Sequence, residues 1–415
     1  MNKFIPVGDF KLLNEEKDAI LDVLNNGRIS EWKKVKEFEK LFAEYVGTKY
    51  CVAVSSGTSA LLLGLLALKY DKRFLKFKNG AKIITSPVTY VATSNAIVLS
   101  NMQPVYADID KRTFKLKINE IEKILEDNDP NEFAGVLPIH LMGYPNDMEE
   151  INKIARDYDL VVFEDSAQAH GTLYKGKKTG SLGLLADFSF YIAHNIQAGE
   201  MGCLTTNDEK LYKLMLKLKA NGRMCDCQVC MRSKGKCPYL LNPDKNNDFD
   251  PRFTHEFIGY NFKTMEFQAA LACCQMKKVD EIFEKRLNNV KYLTKKLSIY
   301  KNIFYLPKVI DTVSYLAYPI IIKENVGLDR MQIEKKLLEK GIESRPLFGC
   351  IPTQQPAYSY LKEKYAGRLP NAEYVGSNGF YIGCHQYLEK EDLDFIIKSF
   401  KEVLKSLLKE DLTIL

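Results

Sequence analysis

Ala186-Asp187-Phe188-Ser189-Phe190-Tyr191-Ile192-Ala193-His194-Asn195-Ile196-Gln197-Ala198-Gly199-Glu200-Met201-Gly202-Cys203 is the stretch on which the reading of this 415-residue chain turns. It reads as a short strand, a polar turn carrying His194, and a second strand from Cys203 to Thr206. Upstream, Leu160-Val161-Val162-Phe163-Glu164-Asp165 is the clearest strand of the chain and ends in a carboxylate. Tyr50–Val54, Lys82–Ser86, Pro104–Asp108 and Gly135–His140 also read as buried strands separated by helical stretches. This βαβα alternation predicts an α/β domain with a largely parallel sheet. Ligands in such sheets sit at the carboxyl ends of the strands, which marks Asp165. A helix N-cap is the plainer use of an Asp at that place.

Before the first strand, residues 15–46 show helical periodicity, broken at Gly27-Arg28-Ile29-Ser30. Glu209–Ala220 reads as a helix, as does the run through Gln268 and Ala270. From about Ile282 a long helix leads into a smaller α+β region, with Tyr318–Lys323 as a strand and Arg330–Lys340 as a helix. The expected division is a large unit over residues 1–281 and a small C-terminal one over 282–415. The length suits two domains with sizeable cores. With 46% hydrophobic and 27% charged residues the composition is that of a globular protein. A net charge of +6, without basic blocks interleaved with aromatics, argues against nucleic-acid binding. No run approaches a membrane span and Met1–Phe10 lacks a signal-peptide core, so a cytoplasmic location is expected. In that compartment the ten cysteines are expected as thiols or metal ligands rather than disulfides.

Several short motifs carry chemistry only in combination. Ser55-Ser56-Gly57-Thr58-Ser59 joins a strand to an apolar helix, a place where free backbone amides meet an anion. Tyr90 follows another strand, and taken alone would be a packing residue. Ser189 is followed five residues later by His194, and Glu164-Asp165-Ser166-Ala167-Gln168-Ala169-His170-Gly171 closes the clearest strand. Together with Gly259-Tyr260-Asn261-Phe262-Lys263 and Arg345-Pro346, these resemble the motifs of the DegT/DnrJ/StrS sugar aminotransferases. The resemblance runs from about Ile29 to the final helices. It implies the pyridoxal-phosphate fold type I, similar to aspartate aminotransferase, with a large mostly parallel sheet domain and a smaller C-terminal α+β domain. It implies a homodimer with shared sites. It also implies Ser56, Gly57, Thr58 and Ser189 at the cofactor phosphate, Tyr90 stacked on the ring, and Asp165 and Gln168 beside it. Asn261 would reach the partner subunit's cofactor phosphate, and Arg345 and Tyr191 would face substrate.

The family's pattern places a Schiff-base lysine where this chain has His194. A histidine cannot form that bond, so ordinary transamination loses its covalent anchor. The family's sugar 3-dehydratases are similar in having His there. The expectation is a pyridoxamine phosphate-dependent dehydratase of a nucleotide-linked 4-keto-6-deoxy sugar. His194 would be general base, with a near-neutral pKa suited to the task. Asp165 would keep the cofactor ring protonated. Cys225, Cys227, Cys230 and Cys237 crowd closely enough to enclose one metal centre. Zinc is the bland reading, while the iron–sulfur 3-dehydratases of the family favour a [2Fe–2S] cluster served by a ferredoxin-type reductase; Cys203 is a further candidate ligand. An aminotransferase-like enzyme, or a cluster-free dehydratase with a structural zinc, is the competing expectation. His170 is aminotransferase-like at its place and Tyr191 dehydratase-like.

Overall fold

The computed structural model describes residues 3–227, 235–237, 250 and 253–408. The chain opens with α1 (Asn14–Asn25) and α2 (Lys33–Val46), the two halves of the helical region broken near Gly27. Helix α2 buries Val35, Phe38, Phe42 and Val46 along one stripe, the spacing of a single helix face. Then come β1 (Tyr50–Val54), α3 (Gly57–Tyr70), β2 (Lys82–Thr85), α4 (Ala92–Leu99), β3 (Gln103–Tyr106), α5 (Ile118–Glu126) and β4 (Phe133–Leu137). Helix α6 (Met148–Asp157) leads to β5 (Val161–Asp165), and a small hairpin, β6 (Leu173–Tyr174) with β7 (Lys177–Lys178), follows. The deciding stretch supplies β8 (Leu185–Ser189) and β9 (Gly202–Thr206).

The large sheet has seven strands in the order β1-β9-β8-β5-β4-β2-β3. Only β9 runs against its neighbours; the other pairings are parallel. The carboxyl ends of β1, β2, β4, β5 and β8 therefore open on one edge. Phe163 of β5 and Leu185 of β8 meet α3, where a Cβ on Gly64 would strike both, while Ala186 and Phe188 of β8 join a core with α2 and α8 (Glu266–Lys277). The buried Glu266 carboxylate accepts the amides of Trp32, Lys34 and Val35, so α8 caps the start of α2.

After α7 (Glu209–Leu218) and α8, the long helix α9 (Val279–Leu297) leads to a second, four-stranded antiparallel sheet. Its order is β10 (Phe304–Tyr305), β11 (Tyr318–Ile322), β13 (Gly379–Ile382), β12 (Ser344–Pro346). Helix α10 (Arg330–Glu339) and the final helix Lys390–Leu408 pack beside it. The N-terminus crosses back to this end, where Ile5 pairs with Ile342. Tyr50–Val54 is observed as expected, and the other strands differ from the expected ones by up to three residues at their ends, where hydrogen bonding rather than apolar character sets the boundary. No helix among the described residues is long and apolar enough to cross a membrane.

Candidate functional site

A cleft of about 1130 Å³ opens over the carboxyl ends of the parallel strands and is closed on its far side by residues of the second sheet. Its size exceeds what a single small ligand fills, so a cofactor and a substrate fit together. Strand alternation decides which residues form its floor. In β5, Glu164 and Asp165 point to opposite faces. Glu164 turns away, accepts the amides of Gly180, Leu182 and Gly183, and meets His140 Nε2 at 3.0 Å. The Asn146 amide donates to His140 Nδ1, which fixes the proton of a neutral ring on Nε2. Asp165 faces the cleft, nearly buried, accepting Thr93 Oγ1 at 2.7 Å and the Ala167 amide at 3.2 Å. Burial raises its pKa and these donors oppose the rise. Gln168 lies beside it, its Oε1 accepting the Met142 amide.

Helix α3 points its first turn into the cleft. Ser56 is the N-cap and accepts the Ser59 amide, while the amides of Gly57 and Thr58 precede the helix's own bonding pattern. Two glycines bring the chain this close. A Cβ on Gly57 would lie 2.7 Å from Ser189 Cβ, and one on Gly202 would lie 2.3 Å from the Ser56 carbonyl. Tyr90 stands at the rim, 62% exposed, with its ring edge-on to Phe348. A packing residue would be buried, so that plainer reading is set aside.

His194 sits on a loop that leaves β8 and returns to β9. The loop is closed by hydrogen bonds from the Phe190 amide to Met201 O and from the Ala198 amide to Phe190 O, with Gly199 left-handed at φ +82°. Asn195 Nδ2 bonds Ser314 Oγ, and Gln197 Nε2 bonds Ile192 O and, at 2.9 Å, Asp9 O. Beneath lies Arg286 of α9, fully buried, which donates to Leu316 O at 2.8 Å, to Gln386 Oε1 at 3.0 Å and to the His194 carbonyl at 3.3 Å. The near-neutral pKa expected for His194 is not what this environment produces. Burial, and behind it the charge of Arg286, push it down to about 4, so the imidazole is neutral and ready to accept a proton at pH 7.

Tyr191, Ser189 and Arg345 also line the cleft, as the motifs predict. Arg345 is held by Glu343, whose other oxygen accepts the Val7 amide. Arg330 joins it at the mouth, braced by Glu334 and the Ser377 carbonyl. The cleft is thus acidic at its floor and basic at its mouth.

Other expected residues lie elsewhere. Asn261 is exposed and does not line the cleft of its own chain. His170 is buried behind the sheet among Phe42, Phe188 and Phe190, 6.2 Å from the His194 ring, so it backs the loop rather than meeting a ligand. Cys225 is half-buried, Cys227 exposed and Cys237 buried; Cys230 lies outside the described residues. Among the described residues no three His, Cys, Asp or Glu side chains gather as a metal would need. Cys203 is inside β9 with its thiol buried beside Cys51, among core side chains rather than with that loop, which corrects its candidacy as a ligand.

The sequence reading passed over Arg330, Arg286 and Asp187. Nothing local marks the first two. Asp187 had a signal: it stands two residues before Ser189, and strand alternation puts both on the cleft face.

A model described as the DegT/DnrJ/EryC1/StrS aminotransferase family matches residues 11–401. The GDP-4-keto-6-deoxy-D-mannose 3-dehydratase of Yersinia pseudotuberculosis is 30% identical over 94% of this chain and 95% of its own. The GDP-perosamine synthase of Caulobacter vibrioides is 32% identical over 96% and 98%. Among solved structures, the E. coli GDP-4-keto-6-deoxy-D-mannose-3-dehydratase with bound hydrated PLP superimposes with a TM-score of 0.84 at 27% identity, covering 96% of this chain and all of that one. These structural neighbours carry the pyridoxal-phosphate fold type I expected from the sequence.

Proposed function

This chain belongs to the DegT/DnrJ/EryC1/StrS aminotransferase family, and from that premise we propose that it is a pyridoxamine phosphate-dependent nucleotide-sugar 3-dehydratase. The proposed substrate is a nucleotide-linked 4-keto-6-deoxyhexose. One observation carries the reading. His194 stands at the cleft five residues after Ser189, and no lysine is among the described residues that line it. An enzyme that cycles through a lysine-bound cofactor lacks its anchor here.

The residues present fit such a cofactor. The floor offers a buried carboxyl, Asp187, with neither oxygen partnered, next to Asp165. The rim offers helix amides at a distance that Gly57 and Gly202 keep open. When bound, the cofactor supplies an amine that captures a keto group and a ring that withdraws electrons. Asp165 accepts the ring N–H and so holds its positive charge. The Gly57 and Thr58 amides receive the phosphate, with the positive end of α3 behind them. Tyr90 covers the ring face. Arg345 and Arg330 meet the diphosphate of the sugar nucleotide. His194, neutral, would be the base that accepts a proton at the cofactor's methylene carbon, the chemistry that loss of the carbon-3 hydroxyl needs.

The iron–sulfur expectation is not carried into this mechanism. Among the described residues no group of three candidate ligands is found and Cys230 lies outside them, so no step is routed through a metal here. Glutamate is the proposed amine source. We further take Asn261, exposed three residues after the exposed Ile258, as a residue that reaches a second copy in a homodimer. The proposed division at residue 281 falls in the first turn of α9.

The test is turnover of a panel of nucleotide-linked 4-keto-6-deoxyhexoses with pyridoxamine phosphate and glutamate, read by mass spectrometry. A keto product lacking the carbon-3 hydroxyl, with ammonia released, is the expected result. An amino sugar as the product would overturn the reading.

A further inference from the structure

We propose that Asp187 and Asp165 form a carboxyl pair sharing one proton, with Asp187 the protonated member, and that this pair sets the protonation of the ring docked above it. The second half rests on the placement of the cofactor ring at Asp165 given above.

The two residues are register partners on adjacent parallel strands β5 and β8. Such neighbours have backbones about 4.8 Å apart and side chains on the same face. That face is toward α3: a Cβ on Gly64 would strike both Phe163 and Leu185, each two residues before its Asp. Both carboxyls line the cleft. Asp187 is 0% exposed, and neither of its oxygens has a hydrogen-bond partner.

Around Asp187 the titratable groups are few. Asp165 lies beside it on β5, with His140 behind. On β9 the neighbour is the buried Cys203 thiol, in the core on the opposite face of the sheet. His194 stands beyond the end of β8, and no cation is among the groups that act on Asp187. Two adjacent buried carboxyls without a cation do not both ionise. Donors decide which one does. Asp165 has Thr93 Oγ1 and the Ala167 amide. Asp187 has no such donor, and burial together with Asp165's charge drives its pKa far above the usual carboxylate range. The proton therefore resides on Asp187, the buried and unpartnered member beside Asp165. The floor keeps a single negative charge, enough to match one ring N–H cation and no more. Asp187 is on this account a positioning residue.

The first test needs no cofactor. Infrared spectra of the full chain at pH 7 should show a protonated carboxyl stretch that disappears in Asp187→Asn; its absence from the native protein would overturn the pair. The second uses pyridoxamine 5′-phosphate, whose ultraviolet absorption reports ring protonation. Asp187→Asn is neutral, polar and of similar size, and should bind within about 2-fold of native, with an unchanged pH profile. Asp187→Leu, first checked for native melting, should bind at least about 10-fold more weakly, with a ring that loses its proton at lower pH. A loss in the Asn variant equal to that in Leu would show that Asp187 carries charge, and would overturn the assignment. Asp165→Asn separates the two layers. If it leaves affinity and spectrum unchanged, the ring does not lie at Asp165, and the role given to Asp187 falls with that placement. If Asp165→Asn abolishes the ring signal and Asp187→Leu does not alter it, the role of Asp187 alone is overturned.

Discussion

Replacing Arg286 with Met tests how His194, the proposed general base, is held. The guanidinium donates to Gln386 Oε1 and to the carbonyls of Leu316, His194 and, at 3.4 Å, Tyr315. Bonds from a charged donor contribute about 1.5–3 kcal/mol each. Against that stands the cost of burying a cation with no carboxylate partner, several kcal/mol, which Met avoids while filling similar apolar space. The balance is a net loss of about 2–4 kcal/mol. For a chain of this size, about 1–2 °C accompanies each kcal/mol, so the melting temperature should fall by about 3–6 °C. Losing the tether on the His194 carbonyl should lower kcat by on the order of 10-fold, since a 1 Å displacement can cost about 100-fold. The pH profile carries the sharper signal. His194 is held down to about 4 by burial first, with Arg286's charge adding to it. Without that charge the acid limb of kcat/KM should move up from near pH 4 toward, but short of, 6.5, because burial remains. Differential scanning calorimetry and a pH series of initial rates check both. A variant that melts within about 1 °C of native and keeps its acid limb would refute the reasoning.

His194→Asn should retain pyridoxamine phosphate affinity within a few-fold yet lose about 10²–10⁴ in turnover, the range for deleting a general base; parent-rate turnover would sink the assignment. Gly202→Ala drives a methyl into the Ser56 backbone and should weaken cofactor binding by 10-fold or more, measured by fluorescence titration, with a stability loss of about 1–3 kcal/mol. His385 is buried, neither ring nitrogen is partnered, and burial lowers its pKa to about 4. The folded chain thus binds fewer protons than the unfolded one between about pH 4 and 6.5, and this residue costs stability as pH falls through that window. His385→Leu should gain about 2–3 kcal/mol relative to native between pH 7 and pH 4 in urea titrations; a gap independent of pH would contradict it.

Much of the site was legible because strand alternation and short motifs are local. Asp165 at a strand end, Ser56-Gly57-Thr58 at a helix start and Ser189 five residues before His194, which the family resemblance singled out, all line one cleft. What escaped was non-local. Arg330 reaches the mouth from beside the second sheet, and Arg286 reaches the His194 carbonyl across 92 residues of chain. The pKa of His194 escaped for the same reason. An imidazole's ordinary pKa is a property of the residue, whereas its desolvation belongs to everything packed around it. His170, aminotransferase-like by identity, is laid by the fold behind the sheet among phenylalanines.

The sequence by itself determined the α/β class, the family and the missing lysine, because each is written in contiguous residues whose period or identity needs no partner. Only the tertiary structure decided that Asp165 has Asp187 for a neighbour. Strands 20 residues apart in the chain become adjacent through sheet order, and the low dielectric that makes two such carboxyls compete for a proton exists only once the core has closed over them.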